Sequence, residues 1–207
     1  MTTFIEGGVT AAKGFQAAGV HCGIRKNRAK KDLGLIVSDR PASAAAVYTR
    51  NLVKGAPLTV TQAHIADGRA RAIVCNSGIA NTCAFDGIEK AEAMCALTAE
   101  ALGIDAADVV VASTGVIGPS IDIAPIAAGL PRLAAALSAQ GSADAAEAIM
   151  TTDTRKKEFA VTFQADGRTC TLGGIAKGSG MIAPNMATML CFLTTAAAIA
   201  PQLLHEA

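Results

Sequence analysis

The chain has 207 residues and a formal net charge of +1, and hydrophobic residues make up 51% of it. This length predicts one domain or slightly more, and the near-neutral charge gives no indication of a nucleic-acid or membrane-surface partner. Aromatic residues are only 3% of the chain and 20 residues are glycine, so we expect a core of small side chains. The short basic run over residues 25–31 favours a solvated loop over an acidic-ligand patch.

Neither a signal peptide nor a membrane span is predicted. Residues 1–8 lack a basic start followed by an apolar stretch, and the apolar segment 186–200 is interrupted by threonines and is too short to cross a bilayer. The cysteines form no CxxC pair, so we predict no metal site and a cytoplasmic protein with reduced, buried thiols rather than disulfides. They are Cys22, Cys75, Cys83, Cys95, Cys170 and Cys191.

The first half of the chain predicts strands and one long helix. Apolar or β-branched runs bounded by turn or charged residues predict strands over 34–38, 45–49, 72–75 and 109–113. Residues 86–102 predict a helix in which Asp86 is the cap and Glu89 completes a capping box.

The second half predicts more helices and a hairpin. Residues 120–140 predict a helix interrupted at Pro125 and Pro131, and residues 142–150 predict a helix capped by Ser142. A hairpin is predicted between residues 159–163 and 170–172, and a buried strand over 187–195. Strands and helices mixed in this order indicate an α/β or α+β domain. Pro201 predicts the start of a helix, and since only six residues follow it, we expect Ala207 not to end a natural folding unit.

Two polar clusters interrupt the apolar runs. Residues 113–118 follow a predicted strand, and such a turn can direct backbone N–H groups and a hydroxyl at an oxyanion. It can equally be a strand-to-helix connection that needs glycine. Residues 150–154 combine hydroxyls with a carboxylate, which can orient a polar substrate or cap a helix end.

A third cluster covers residues 177–190. It lacks the residue order of a phosphate-binding loop, so that function is excluded. The glycines that follow Lys177 permit close ligand approach, although a surface lysine is the alternative. Thr188 follows a turn at Pro184-Asn185 and is either a strand residue or a nucleophile. From the residues alone the strand is favoured, because threonine is common in strands.

The whole chain resembles the N-terminal part of the bifunctional glutamate N-acetyltransferase/ornithine acetyltransferase family of arginine biosynthesis. The resemblance implies an α/β, sandwich-like arrangement of sheets and helices that is incomplete at its C-terminus. It also implies an alpha-chain region over 1–187 and the start of a beta-chain region over 188–207. The matching stretches, in family order, are residues 7–11, 13–15, 76–81, 113–118, 151–154 and 177–190.

The resemblance also implies a specific chemistry. Family members are made as one precursor that cuts itself before a threonine, here the Ala187–Thr188 bond. Thr188 would then take an acetyl group from N-acetylornithine, or in some members from acetyl-CoA, and pass it to glutamate without a metal or other cofactor. The pair Thr114 and Gly115 matches the oxyanion-stabilising positions. The complete enzyme would be an α2β2 heterotetramer.

Substrate binding in the family involves a lysine and a threonine. Lys177 matches the first position, and either Thr151 or Thr154 matches the second. Ile79 stands where the family commonly has an asparagine, which removes a polar contact of that loop. The family's second chain supplies further site residues, including an acidic one.

Physical chemistry agrees with Thr188 as the nucleophile. An alcohol needs a base to remove its proton, and the amide nitrogen of an uncut chain cannot act as one. After cleavage that nitrogen is an α-amine with a pKa of about 8, which is close to working pH. Cleavage therefore creates the nucleophile and its base together.

Two other functions stay open. One is a non-catalytic fragment or subunit that needs a partner chain, and the other is a threonine-dependent amidohydrolase. With glutamate supplied, a transferase makes N-acetylglutamate, a hydrolase makes acetate, and a fragment makes neither. We expect the 207-residue chain alone to be inactive, largely uncleaved, and poorly soluble or oligomeric.

Overall fold

The structure is a computed structural model, and it describes residues 2–178 and 189–207. The described strands form two four-stranded sheets, ordered β2-β3-β4-β5 and β1-β6-β7-β8. The strands are β1 (Thr3–Ile5), β2 (Phe15–Val20), β3 (Leu33–Ser43), β4 (Arg69–Ile79), β5 (Val109–Val116), β6 (Lys157–Ala165), β7 (Arg168–Lys177) and β8 (Leu190–Thr195). The helices are α1 (Ala56–His64), α2 (Gly87–Leu102), α3 (Ala124–Ala135), α4 (Ser142–Ala148) and α5 (Pro201–Glu206).

The first sheet is mostly antiparallel, but β4 and β5 run parallel with α2 between them in the chain. Helices α1, α2 and α3 cover one face, where Val60, Met94 and Ile126 share a buried cluster with Val74 and Val111 of the strands. Because side chains alternate along a strand, the neighbours of Val74 and Val111 face the other way. The long parallel crossover therefore leaves a helix layer on one side of the sheet.

The opposite face of the first sheet packs against α4 and the second sheet. The buried cluster there joins Cys75 and Ala112 of the first sheet to Ala146 and Ile149 at α4 and to Ile175 of β7. Most of these side chains are small, as the composition predicts. The layers are thus helices, first sheet, and then second sheet with α4, which confirms the predicted α/β, sandwich-like fold.

The far side of the second sheet is apolar, and no other element of the described chain covers it. Gly174 of β7 pairs with Phe159 on one side and with Leu193 on the other, so Phe159 and Leu193 lie on the same face of the sheet. Phe4 pairs with Val161, which is two residues after Phe159 and therefore points to that face as well. Phe4 is 81% exposed and Leu193 is 54% exposed. We call the surface formed by Phe4, Phe159 and Leu193 the outer face. Apolar surface of this kind typically marks an interaction site.

Most predicted elements are confirmed, and their physical basis is visible. The strands predicted over 34–38, 72–75 and 109–113 lie inside β3, β4 and β5, and the predicted hairpin is the longer pair β6 and β7. The helix predicted over 86–102 is α2, whose buried residues recur at helical spacing. The other predicted helices are α3, α4 and α5. Strands β1 and β2 and helix α1 were not predicted.

The strand predicted over 45–49 is wrong. Ser43 at the end of β3 pairs with Arg69 at the start of β4, so the chain beyond Ser43 has no neighbouring strand. Residues 45–49 have no regular structure, and Val47 is exposed. The strand predicted over 187–195 is described only from residue 189. Residues 190–195 form β8, which is an edge strand. It is half-exposed rather than buried, because Thr194 is the one buried residue among its six.

The predicted helix caps form no side-chain capping bonds, because both side chains bind elsewhere. Asp86 is the N-cap residue of α2, as predicted, but its carboxylate accepts a hydrogen bond of 2.6 Å from the Ser120 hydroxyl instead of one from the helix backbone. Ser142 is the first residue of α4; its hydroxyl accepts from the Val9 N–H at 3.0 Å and donates to Glu158 at 2.9 Å. Tertiary contacts thus override the local capping pattern.

The predicted burial of the cysteines is confirmed for two of them. Cys75 and Cys95 are buried, whereas Cys83 and Cys191 are exposed. Burial raises the pKa of the Cys75 thiol to about 12, so this thiol is uncharged at neutral pH. None of the described helices is long and apolar enough to span a membrane.

Helix α1 protects the free edge of the first sheet. Strand β5 is an edge strand, and the Thr61 hydroxyl donates to the Val111 carbonyl at 2.9 Å and accepts from the Val111 N–H at 3.1 Å. His64 Nδ1 lies 2.8 Å from the Val109 carbonyl. These side chains occupy backbone groups that another strand could otherwise pair with.

We predict that Thr61→Val destabilises the protein by about 2–3 kcal/mol, because it leaves the buried N–H and C=O of Val111 unpaired without changing shape. Thr59→Val is the matched control, since Thr59 is exposed on the same helix. The midpoint of urea unfolding of the full-length protein measures both variants. Equal midpoints would show that the hydroxyl does not hold this edge.

Candidate functional site

The carboxyl ends of the parallel strands β4 and β5 lie side by side and build the first part of the site. Ser77 pairs with Thr114, and Gly78 pairs with Gly115. Thr114 follows Ala112 by two residues, so its side chain points to the face that packs on α4 and the second sheet. Ser77 lies on the same face and donates a hydrogen bond of 2.6 Å to the Ala148 carbonyl at the end of α4.

The position of residues 113–118 corrects the sequence prediction. They were expected to form a turn after the strand, but residues 113–116 are the last residues of β5 itself. The half-buried Thr114 is therefore held in the sheet by strand pairing rather than by a loop. Strand pairing fixes a backbone more tightly than an exposed connection does.

Gly115 is required by both conformation and space. Its φ is +135°, in the region that favours glycine, and a Cβ here would lie 2.2 Å from the Gly78 carbonyl carbon and 2.6 Å from the Ile79 nitrogen. The two backbones approach so closely that no side chain fits between them. Thr114 is thereby held directly beside the end of β4.

Lys177 is a buried cation at the end of β7, so the alternative of a surface lysine is wrong. Its side chain is only 3% exposed, and Nζ donates to the Gly178 carbonyl at 2.7 Å. Burial lowers the pKa of Lys177, and the Asp153 charge partly opposes this effect. No ion pair formed within residues 2–178 and 189–207 includes Lys177. A buried ammonium of this kind is suited to bind an anionic ligand group.

Asp153 connects the threonine cluster to the lysine strand. Its carboxylate accepts from the Gly178 N–H at 2.8 Å, from Lys157 Nζ at 2.6 Å and from the Thr151 N–H at 3.4 Å. Burial would raise the pKa of Asp153, but these hydrogen bonds outweigh it and hold the pKa below its ordinary value. Sequence reasoning noted a carboxylate among the hydroxyls but assigned it no contact. Its only sequence signal was its place within the Thr-Thr-Asp-Thr run.

The two candidate binding threonines differ in position. Thr151 is half-buried and is bound through its backbone to Asp153, which also binds Gly178 beside Lys177. Thr154 is exposed. The described structure therefore brings Thr151 to the site of Lys177 and leaves Thr154 in solvent.

The loop between β2 and β3 supplies a residue that sequence reasoning placed in solvent. Arg25 is half-buried, and its guanidinium donates a hydrogen bond to the Met150 carbonyl, next to Thr151. Residues 26–30 are exposed, which confirms the predicted loop for that part, whereas Lys31 at the end of the run is half-buried and forms an ion pair with Asp144. The run of charges contained no signal that would separate Arg25 from its neighbours.

The Ala187–Thr188 bond and the Thr188 nucleophile lie outside the described residues, so both stay predictions. Their described neighbours are informative, because Leu190 pairs with Lys177 across β7 and β8. The described residues that flank the Thr188 segment in the chain therefore include two strand neighbours, Lys177 and Leu190. The described part of the chain contains no group of three or more histidine, cysteine, aspartate or glutamate side chains that could hold a metal.

Comparison with known proteins gives consistent matches. The ArgJ family model matches residues 16–207. An arginine biosynthesis bifunctional protein ArgJ from Symbiobacterium thermophilum is 52% identical over 206 residues, which are 99% of this chain and 51% of that protein. The chain thus spans about half the length of the curated relatives it matches.

Two solved structures are also similar. The arginine biosynthesis bifunctional protein from Bacillus halodurans has a TM-score of 0.83 at 46% identity, over 90% of this chain and 98% of that one. The ornithine acetyltransferase of Mycobacterium tuberculosis, solved with ornithine, has a TM-score of 0.82 at 38% identity, over 90% of this chain and 100% of that one.

We predict that Gly115→Ala destabilises the full-length protein more than Gly118→Ala, by on the order of 3 kcal/mol, because the added methyl group overlaps the backbone of β4. Gly118 is a matched control, since its φ is also positive, at +105°, yet no described atom lies within 4 Å of a Cβ there. Urea unfolding measures the difference. Equal losses for the two variants would contradict the requirement for close approach.

Proposed function

The chain belongs to the ArgJ family, and we propose on that basis that it is the N-terminal part of an acetyltransferase that moves an acetyl group from N2-acetylornithine to glutamate. The observation that carries the proposal is the buried Lys177, which has no acidic partner in the described ranges and lies at the end of the strand that leads to Thr188. Both substrates are small carboxylic acids. A desolvated ammonium binds a substrate carboxylate through strong, charge-assisted hydrogen bonds.

Substrate binding would use Lys177 and the threonine cluster. The ammonium donates one of its three N–H bonds to the Gly178 carbonyl, so two remain for a ligand. N2-acetylornithine and glutamate both carry an α-carboxylate that these two could bind. Of the two candidate threonines, we assign Thr151 to the site, because Thr154 is exposed. Asp153 would hold Thr151 and Gly178 in place through its hydrogen bonds.

The transfer would proceed through an acetyl ester on Thr188. The Thr188 α-amine removes the hydroxyl proton, the oxygen attacks the acetyl carbonyl of N-acetylornithine, and the C–N bond breaks as the released ornithine amine is protonated. The glutamate amine then attacks the ester, so that N-acetylglutamate leaves and the threonine hydroxyl is restored. Thr114 and the backbone at Gly115 would stabilise the oxyanion in both steps. Acetyl-CoA would serve as an additional donor, and no cofactor is needed.

Cleavage of the Ala187–Thr188 bond would create that α-amine. In the precursor the Thr188 hydroxyl attacks the Ala187 carbonyl, and water hydrolyses the resulting ester. The lengths of the relatives support this step. About 186 residues of this chain, 90% of it, match 98–100% of the two solved chains, so those chains are themselves about that long. The curated relative from Symbiobacterium thermophilum is about twice as long as the 206 residues that match it. Chains of this half-length are the expected product of cleavage near residue 187.

The outer face is the surface on which we place the remaining half of the protein. Phe4, Phe159 and Leu193 would be covered by the beta-chain, which would also complete the active site, and two such pairs would form the α2β2 heterotetramer in the cytoplasm. The exposed fraction of these side chains is the supporting observation. With glutamate and N-acetylornithine supplied, the full-length protein should form N-acetylglutamate. Formation of acetate alone would instead identify a hydrolase, and no product would identify a non-catalytic subunit.

We predict that Thr188→Ala abolishes both cleavage and transfer in the full-length precursor, because it removes the attacking oxygen. The protein should run as one band on a denaturing gel and form no N-acetylglutamate. Thr188→Ser keeps the oxygen and should cleave, at a lower rate. Cleavage of the alanine variant at the same bond would refute the proposed role of Thr188.

We predict that Thr114→Ala lowers kcat about a hundredfold or more and changes KM little, since the hydroxyl acts on charge that develops only in the transition state. Thr59→Val serves as the control for surface substitution. Steady-state kinetics of the full-length enzyme provides the test. A raised KM at unchanged kcat would make Thr114 a binding residue.

A further inference from the structure

Arg25 is fixed at its backbone by a buried carboxylate. Asp32 is fully buried and accepts hydrogen bonds from the backbone N–H groups of Cys22 at 2.6 Å, Gly23 at 3.3 Å and Arg25 at 2.9 Å. His21 Nδ1 lies 3.1 Å from the same carboxylate. This set of bonds sets the path of the loop, so the direction in which the Arg25 side chain leaves the backbone is fixed as well.

The Arg25 side chain extends from the oxyanion strands to the threonine cluster. Its Cγ would lie 3.2 Å from a Cβ placed at Gly78, the residue on which Gly115 packs. Its Nη2 donates to the Met150 carbonyl, immediately before Thr151. The Arg25 side chain therefore lies close to Gly78 at its base and is bound to the Met150 carbonyl at its tip, so it stands between the two parts of the site.

The guanidinium keeps most of its binding capacity. It has five N–H donors, and it forms no ion pair with any carboxylate in the described ranges. The Asp32 carboxylate is already occupied by backbone N–H groups. Burial lowers the pKa of Arg25, and the Asp32 charge partly opposes this effect. The Arg25 charge in turn contributes to lowering the pKa of Lys177. Both cations border the threonine cluster, because Arg25 binds the Met150 carbonyl and Gly178, next to Lys177, binds Asp153. Two cations at one cluster are favourable only when anionic groups lie between or beside them.

We propose that Arg25 is the residue that selects glutamate, by binding its side-chain carboxylate while Lys177 binds the α-carboxylate. The assignment rests on the proposed function. Glutamate carries two carboxylates, whereas N-acetylornithine carries one carboxylate and a side-chain ammonium. The planar guanidinium binds a carboxylate through two parallel hydrogen bonds and repels the ammonium. Arg25 therefore acts in opposite directions on the two substrates.

The experiment compares acceptors that differ only in this charge. In the full-length enzyme, kcat/KM is measured for glutamate and for glutamine with N-acetylornithine as donor. The wild type should prefer glutamate, and Arg25→Gln should lower the ratio of the two values by about tenfold or more. The KM for N-acetylornithine should stay the same or fall. Arg25→Lys keeps the charge and should recover part of the ratio, and Lys26→Gln, at the exposed neighbouring residue, should not change it.

The outcomes separate this inference from the proposed function. A wild type that does not acetylate glutamate overturns both. A wild type that does so, together with an Arg25→Gln variant whose glutamate-to-glutamine ratio is unchanged, overturns only the role of Arg25. Equal losses with both acceptors in both Arg25 variants would show that the side chain merely holds the turn after α4 through the Met150 carbonyl, and would also overturn the role of Arg25.

Discussion

The contact between the backbones of Gly115 and Gly78 is the constraint on which the rest of the site depends. A methyl group at Gly115 would lie 2.2 Å from the Gly78 carbonyl carbon, so the ends of β4 and β5 meet without intervening side chains. This contact sets Thr114 beside Ser77, and Ser77 in turn binds the end of α4. The threonine cluster begins at that helix end. One backbone contact thus relates the proposed oxyanion position to the proposed binding residues.

The acidic side chains around this contact have their hydrogen-bond partners within the protein, whereas the basic side chains keep unused donors. The two acids of the site, Asp32 and Asp153, have their carboxylates occupied by backbone N–H groups, and Asp153 also by Lys157. The two cations, Lys177 and Arg25, donate only to carbonyl oxygens in the described chain. Because a buried cation is stabilised by an anion, the site as described favours negatively charged ligands. This is the physical basis on which carboxylic-acid substrates fit the proposed function.

Local sequence patterns predicted much of the fold and part of the site. Strands β3, β4 and β5 are covered on both faces, and buried strands read as continuous apolar runs. Strand β2 was missed because its six residues include alanines and a glycine, and its pairing with β3 rather than its own composition makes it a strand. The clusters around Thr114, Thr151 and Lys177 were visible in the sequence, and the family resemblance gave them roles.

Other features depend on contacts between distant parts of the chain. Arg25 binds a carbonyl 125 residues away, and no local pattern distinguishes it from the exposed lysine that follows. The capping prediction for Ser142 failed for the same reason, since its hydroxyl bonds to Val9, 133 residues away. Residues whose role is set by tertiary contacts are beyond the reach of local patterns. The structure is therefore needed to identify the arginine, whereas the lysine could be found from sequence.

The most direct test of the account is to locate the acetyl group on the enzyme. The full-length protein is incubated with N-acetylornithine in the absence of glutamate, quenched in acid, digested and examined by mass spectrometry. The account predicts an acetyl group on the peptide that begins with Thr188, bound as an ester and removed when glutamate is added before the quench. An acetyl group on Lys177 or another residue that glutamate removes in the same way, with none on Thr188, would contradict it.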